Sequence, residues 1–295
     1  MEFFPAWAKV NLGLDVRAKR TDGYHDVRMI MQTVSLADCI GLEIQEHGIS
    51  LQVQGAELSP GENNLAYRAA KLLQEHCQVT KGAKIELKKR IPLAAGLAGG
   101  SADAAAVLYG LSKIWQLNLN EGELHSLALR LGSDVPFALL GGTALAEGRG
   151  EILTPLTPLP DCYLVLARAN LEVSTAWAYR ELDACPERTA VDIDVLLLAL
   201  CQGDLAALAR QMENSFEPVV TARYPVIREL KEALLDLGAL GAVLTGSGPT
   251  VFGLFTSLEE ATRAATSLAA WSETFVVRPV MSGAGRGWRE AETKS

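Results

Sequence analysis

The sequence predicts an α+β chain folded as two lobes, and three observations carry that expectation. The first half reads as short strands followed by helices, without a repeating βαβ pattern. A cluster of prolines, Pro155, Pro158 and Pro160, breaks the composition near the middle. After it, strand signals separated by helical segments begin again. A chain of 295 residues is long for one core and comfortable for two lobes. Its 49% hydrophobic and 21% charged residues suit a soluble globular enzyme and not a disordered chain.

The elements follow in order. Residues 6–16 alternate with period two, so Val10, Leu12, Leu14 and Val16 share one face and Lys9, Asn11 and Gly13 the other. Asp22-Gly23 is a turn signal before a second strand, Val27–Ser35, with further strands over 38–45 and 48–54. Asn63–Gln78 reads as a helix, with Leu65, Ala69, Leu72 and Leu73 near helical spacing. Lys84–Arg90 alternates as a strand, and the loop Ile91–Gly100 feeds a helix over Ser101–Trp115. Helices are predicted over Asn120–Leu131 and Val135–Leu140, the second stopped by Gly141-Gly142. Beyond the prolines, Tyr163–Ala167 reads as a strand, with helices over 175–184, 192–201, 204–213 and 224–237. Strands at Ala242–Thr245 and Val251–Phe255, a helix over 258–270 and a strand over 274–280 complete the chain. The boundary divides it into lobes 1–157 and 158–295.

Charge and cysteines exclude several classes. A net charge of −8 does not suit a nucleic-acid binder, which needs a basic surface to displace counterions. The run Lys88-Lys89-Arg90 leads into the glycine-rich loop and suits a compact polyanion. Five scattered cysteines, none in a Cys-x-x-Cys, read as reduced thiols in core positions. No residue pattern predicts a structural metal site. The N-terminus has no secretory leader, and apolar runs such as Val195–Cys201 are too short to span a bilayer. The expected location is the cytoplasm.

Five motifs carry chemistry. In Pro92–Ala106 a strand runs into a glycine-rich loop that opens a helix. Unpaired N–H groups and the positive dipole end of a helix start attract phosphate. Gly96, Gly99 and Gly100 are expected to let the backbone approach the anion, with Ser101 as cap, phosphate ligand or neighbour of Mg²⁺. No Lys-Ser/Thr follows the glycines and their spacing is Gly-x-x-Gly-Gly, so this is neither a Walker loop nor a dinucleotide fingerprint. A tight turn with close helix packing is the plain alternative. Lys9 and Asn11 project from one face of the first strand, where most lysines are solvated. Asp134, in Gly132–Phe137, stands at a helix start, where an N-cap is the ordinary role. Thr245–Thr250 is a glycine-rich connection between two apolar strands: a hairpin turn, or a loop that backs the first. Gly23-Tyr24-His25 sets an aromatic ring beside an imidazole after a turn, as stacking on a heterocycle requires, or as a plain exposed turn.

In this order the segments resemble the GHMP kinases, which carry an N-terminal strand motif, a central Pro-x-x-x-Gly-Leu-x-x-x-Ser loop and a C-terminal glycine-rich loop. The resemblance runs from Ala6 to about Phe255. Within that superfamily it is greatest for the branch acting on a cytidyl diphosphate of methylerythritol in non-mevalonate isoprenoid precursor biosynthesis. It implies two α+β lobes with the active site in the cleft between them. It implies Lys9 and Asp134 as the catalytic pair. It implies Pro92, Gly96, Leu97, Ala98, Gly99, Gly100 and Ser101 as the ATP phosphate loop, with Asn63 or Asn64 at the adenine. For the substrate it implies Asn11, the pair Tyr24 and His25 at the cytosine, and Thr175 with Tyr179 closing the pocket. Ala102 departs from the family, many of whose members carry a second Ser there. ATP with Mg²⁺ and a small cytidyl diphosphate are the implied partners, with no nucleic acid, no membrane, and the chain a monomer or weak homodimer. Mevalonate, phosphomevalonate or homoserine kinases, and a catalytically silent binding member, are the rival readings.

Overall fold

The computed structural model describes residues 1–185 and 190–284, so the end of the expected 158–295 lobe lies outside the described residues. The first half runs β1 (Glu2–Lys19), β2 (His25–Gln45), β3 (Ile49–Gln54), α1 (Leu65–His76), β4 (Gly82–Lys88), α2 (Gly99–Ile114), α3 (Glu121–Leu131), α4 (Val135–Leu140), β5 (Thr143–Glu147) and β6 (Ile152–Pro155). The second runs β7 (Tyr163–Arg168), α5 (Thr175–Ala184), α6 (Ile193–Gln202), α7 (Leu205–Gln211), α8 (Glu217–Arg223), α9 (Pro225–Asp236), β8 (Ala242–Leu244), β9 (Thr250–Phe255), α10 (Leu258–Leu268) and β10 (Glu273–Val277).

Where two strands are predicted, β2 is continuous. Its pairing explains this: Cys39–Gln45 bonds β4 and Met29–Gln32 bonds β5, while β1 lines the other edge. One long strand therefore serves two short neighbours in the sheet β3-β4-β2-β5-β6. β3 and β4 are parallel, with α1 crossing between them, so the first half contains one βαβ unit that the strands-then-helices reading lacks. The crossover helix starts at Asn64, whose side chain accepts a hydrogen bond from the Ala66 N–H at 2.9 Å. The short elements β5, β6 and α8 add to the predicted elements. α8 carries Pro218 in its first turn and has only 7 residues, too few to show a period.

The second sheet has the order β10-β7-β9-β8 and is antiparallel throughout. Three apolar cores hold the molecule. One is built around Leu73, Leu87 and Leu111. The other two join the halves: Val10, Leu12 and Ile30 share a core with Leu164, Leu196 and Phe252, and Val27, Met31 and Phe137 share one with Val165, Leu230 and Phe255.

After β10 the chain returns to the first half. The Ser35 N–H donates to the Arg278 carbonyl at 2.9 Å, and the Ala284 N–H to the Ala138 carbonyl at 2.8 Å. Gly141 ends α4 with a φ of 69°. A Cβ there would stand 2.0 Å from the Gly283 nitrogen, so this glycine both stops the helix and admits the returning segment. The cysteines are less uniformly buried than expected: Cys162 is buried, Cys39, Cys77 and Cys185 are half-buried, and Cys201 is exposed.

Candidate active site

Plain alternation would leave one face of β1 to solvent, yet β1 is buried on both faces over residues 4–16. Its register against β2 shifts between Trp7 and Lys9 and again between Asn11 and Gly13. These irregularities flank Lys9 and Asn11 and re-aim their side chains. The Lys9 Nζ donates to the Asn11 Oδ1 at 2.9 Å and to the Gly96 carbonyl at 3.0 Å. The same Asn11 oxygen accepts from the Gly246 N–H at 3.0 Å and the Thr245 hydroxyl at 3.3 Å. The Asn11 backbone N–H donates to the Thr245 Oγ1 at 3.1 Å. Strand β1, the loop at 96 and the loop at 245 thus meet on a few polar atoms. The carboxamide expected at substrate is largely committed to holding the loops, its Nδ2 pointing at the Met29 Sδ at 3.2 Å.

Gly96 has a φ of +75°, and a Cβ would meet the Thr245 carbonyl oxygen at 2.3 Å, so only glycine brings the two loops together here. The next loop residues lead into α2, whose cap position, Ala98, takes a φ of 57° and makes no side-chain capping bond. The helix start is open to an anion. Gly99 corrects an expectation. Its Cβ would point inward, 3.0 Å from Ile91 and 3.2 Å from the Lys89 ammonium, so its small size serves packing and not phosphate clearance. A Cβ on Gly100 would make ordinary contact with Leu65 at 3.6 Å.

A cleft of about 720 Å³ lies over these atoms, within the range of small-molecule sites. Of the residues singled out in the sequence it brings together Lys9, Asn11, Tyr24, His25, Gly96, Ala98, Ser101, Asp134, Thr175 and Tyr179. Pro92, Leu97, Gly99, Gly100, Asn63 and Asn64 do not line it. Leu97 is a core side chain whose carbonyl accepts from the Lys9 N–H at 3.1 Å.

Asp134 sits at the cap position of α4, yet its side chain makes no capping hydrogen bond. The ordinary N-cap role is thereby excluded, and the carboxylate faces the cleft. Burial pushes the Lys9 ammonium below its ordinary pKa, and the Asp134 charge pulls it partly back. Burial, with a smaller push from the same carboxylate, raises the Tyr179 hydroxyl to about 12.

At the other end, Tyr24 is 55% exposed, with the Arg149 guanidinium 5.0 Å from its ring centre. His25 is buried, stacks on Tyr179 with ring centres 4.7 Å apart, and sets its Nε2 2.7 Å from Asp183 Oδ1. Tyr179 therefore stands against His25. Thr175 Oγ1 lies 2.9 Å from Ser247 Oγ, which ties α5 to the loop at 245–250.

Sequence reasoning missed Arg149, Asp183, Lys19 and Arg180, all in the cleft wall. Gly148 and Gly150, both at positive φ, mark the tight turn that presents Arg149 and were the available signal. The run Lys88-Lys89-Arg90 is not the surface patch it resembled. Lys89 is buried, donating to Asp38 at 2.5 Å and Asp103 at 2.8 Å.

Comparison with known proteins agrees with this geometry. Residues 64–142 match the model of the GHMP kinases N terminal domain and residues 196–273 that of the GHMP kinases C terminal domain. A 4-diphosphocytidyl-2-C-methyl-D-erythritol kinase of Synechococcus sp. (strain JA-3-3Ab) is 50% identical over 89% of this chain and 88% of its own. One from Alkaliphilus metalliredigens is 44% identical over 96% of this chain and 97% of its own. A crystal structure of 4-(cytidine 5'-diphospho)-2C-methyl-D-erythritol kinase superposes with a TM-score of 0.82 at 38% identity, covering 97% of this chain and all of that one. The homoserine kinase of Cytophaga hutchinsonii, at 23% identity and a TM-score of 0.76, shares the fold. With its two lobes, its open helix start and its cleft, the chain belongs to the GHMP kinases, in the 4-diphosphocytidyl-2-C-methyl-D-erythritol kinase family.

Proposed function

We propose that this cleft transfers the γ-phosphate of ATP to the C2 hydroxyl of 4-diphosphocytidyl-2-C-methyl-D-erythritol, a step of non-mevalonate isoprenoid precursor biosynthesis. The observation that carries the reading is the meeting of Lys9, Gly96 and the Thr245–Gly246 loop on the Asn11 oxygen, with Asp134 uncapped in the same cleft. Residues 1–157 are in this reading the lobe with the ATP loop, and 158–295 the second lobe.

Phosphoryl transfer has a loose transition state, so positioning and charge stabilisation do most of the work. The open first turn of α2 offers its N–H groups to the β- and γ-phosphates, with Ser101 beside them. Asn63 or Asn64 is read at the adenine; the contact of Leu65, the residue after the α1 cap Asn64, with Gly100 supports that reading. Lys9 stabilises charge on the transferring group. Asp134 orients the hydroxyl and accepts its proton late. Tyr24 and His25 hold the cytosine, and Tyr179 backs His25, so binding energy far from the chemistry positions the alcohol.

Among the described residues no cluster of three or more metal-binding side chains exists. Magnesium would be held mainly by the substrate phosphates, with the Ser101 hydroxyl in the same cleft. When bound it neutralises phosphate charge. No described helix is long and apolar enough to cross a membrane. A cytoplasmic monomer or weak homodimer is part of the reading.

ATP consumption measured against the cytidyl compound, mevalonate, homoserine and galactose tests the reading. Turnover with the cytidyl compound alone is expected. Turnover with mevalonate or homoserine and none with the cytidyl compound would leave only the kinase family standing.

A further inference from the structure

Helix α5 presents Thr175, Tyr179 and Asp183 to the cleft at intervals of four residues, one face of the helix. Each makes a different contact there. Thr175 meets Ser247, Tyr179 stacks on His25, and Asp183 holds the His25 edge. Asp183 Oδ1 lies 2.7 Å from the His25 Nε2, and its Oδ2 accepts from the Lys19 Nζ at 3.1 Å. The His25 side chain is only 5% exposed, so its ring cannot turn to water to change partners.

An ionised carboxylate only accepts hydrogen bonds. Partial burial pushes the Asp183 carboxyl up, but the hydrogen bonds from His25 and Lys19 outweigh it and hold it below the usual carboxylate range. The Nε2 of His25 must then carry a hydrogen. In a neutral imidazole with Nε2–H, the other ring nitrogen is an acceptor. The exocyclic amino group of cytosine is a donor, and uracil has a carbonyl oxygen at the same place. An acceptor at Nδ1 therefore favours the first base and repels the second. Stacking alone does not discriminate between them.

The geometry points to Asp183 as a specificity-determining positioning residue. It fixes the Nε2–H tautomer of His25 and thereby leaves Nδ1 as an acceptor that selects cytosine over uracil. This rests on the reading that His25 faces the base of the substrate. The role is indirect, because Asp183 acts through the imidazole and not on the phosphate or the reacting alcohol.

The test uses the full chain with the cytidyl substrate and its uridyl counterpart. First, kcat/KM is measured for both with the wild-type protein. Next, ¹⁵N shifts of His25 are recorded in wild type at pH 7.5. Asp183→Asn, Asp183→Ala and Asp183→Glu are then compared for kcat/KM with each base. A neutral, Nε2-protonated His25 is expected in wild type. Asp183→Asn and Asp183→Ala should lose about 10- to 100-fold of the cytosine preference, as one mismatched hydrogen bond implies. Their kcat at saturating cytidyl substrate should stay within about threefold of wild type, and Asp183→Glu should restore most of the preference. A doubly protonated or Nδ1-protonated His25 in wild type overturns the proposal, whatever the variants do. So does an unchanged base preference in folded Asp183→Asn. A wild-type protein that ignores the cytidyl compound defeats the underlying reading as well, and the first measurement shows it separately.

Discussion

The Lys9 ammonium donates to the carbonyl of Gly96, 87 residues further along the chain, at 3.0 Å, while no direct ion pair joins it to Asp134 across the cleft. Lys9 is thus bound to the phosphate loop, and Asp134 stands free to meet a substrate.

Asp134→Asn is expected to lower kcat by at least about 10²-fold with ATP affinity nearly unchanged. Its melting temperature should hold, because the side chain caps nothing. Lys9→Ala should lose a similar factor in kcat and also weaken ATP, since it releases Gly96. The double variant should be little worse than either single one. Removing the Asp134 charge takes away the influence that raises the Lys9 pKa, so the alkaline limb of the residual kcat/KM profile should move to lower pH. A normal kcat with a lower melting temperature for Asp134→Asn would show a structural residue.

Three glycines separate packing from anion binding. Gly96→Ala should lose several degrees of melting temperature and weaken ATP by roughly tenfold or more, because its Cβ collides with Thr245. Gly99→Val should destabilise the fold by pressing on Ile91 and Lys89. Gly100→Ala should leave melting near wild type. Calorimetry with ATP beside thermal unfolding distinguishes the three, and full ATP affinity in folded Gly96→Ala would detach the loop from phosphate.

Tyr24→Ala should weaken the cytidyl substrate by about 1–3 kcal/mol, the range of one base–aromatic stack, with ATP unaffected. Arg149→Ala should have a smaller effect, about 0.5–1 kcal/mol, through the lost cation over that ring. Equal losses for ATP and the cytidyl compound would indicate a general defect.

Lys89, Asp38 and Asp103 form a buried triad of one cation and two carboxyls behind the phosphate loop. Burial pushes Asp103 up, Lys89 pulls it back and Asp38 pushes again, leaving it at about 8 against an ordinary 3.8. Between those two values the unfolded chain binds fewer protons than the folded one. Stability from this group is therefore complete below the lower value, declines as pH rises, and is gone above the upper one. Asp103→Asn stays neutral, so from pH 6 to 8 wild type should lose about 1–3 kcal/mol relative to it in denaturant unfolding. A difference between the two that does not vary with pH would show Asp103 ionised throughout.

What the sequence made legible was local. The alternation of β1, the helical spacing over Asn63–Gln78, and the glycine loops all depend on neighbours in the chain. The continuity of β2 depends on β4 and β5, which arrive later and have no signal at residues 36–37. Lys89 looked like part of a basic surface run because its partners lie 51 and 14 residues away. Asp183 lies 158 residues from the imidazole it holds, and no spacing rule reaches that far. The candidate site was legible as types and order of residues. The bulges that aim Lys9 and Asn11, and the inward direction of Gly99, needed the fold.

Two of the three apolar cores draw side chains from both sides of residue 157. The ribosome makes the two sides in sequence. When residue 157 has emerged, Val10, Leu12, Ile30 and Met31 still lack Leu164, Phe252 and Phe255 to cover them. At about 5–20 residues per second, this exposure lasts on the order of ten seconds. The nascent first half keeps this apolar surface uncovered until β9 is made.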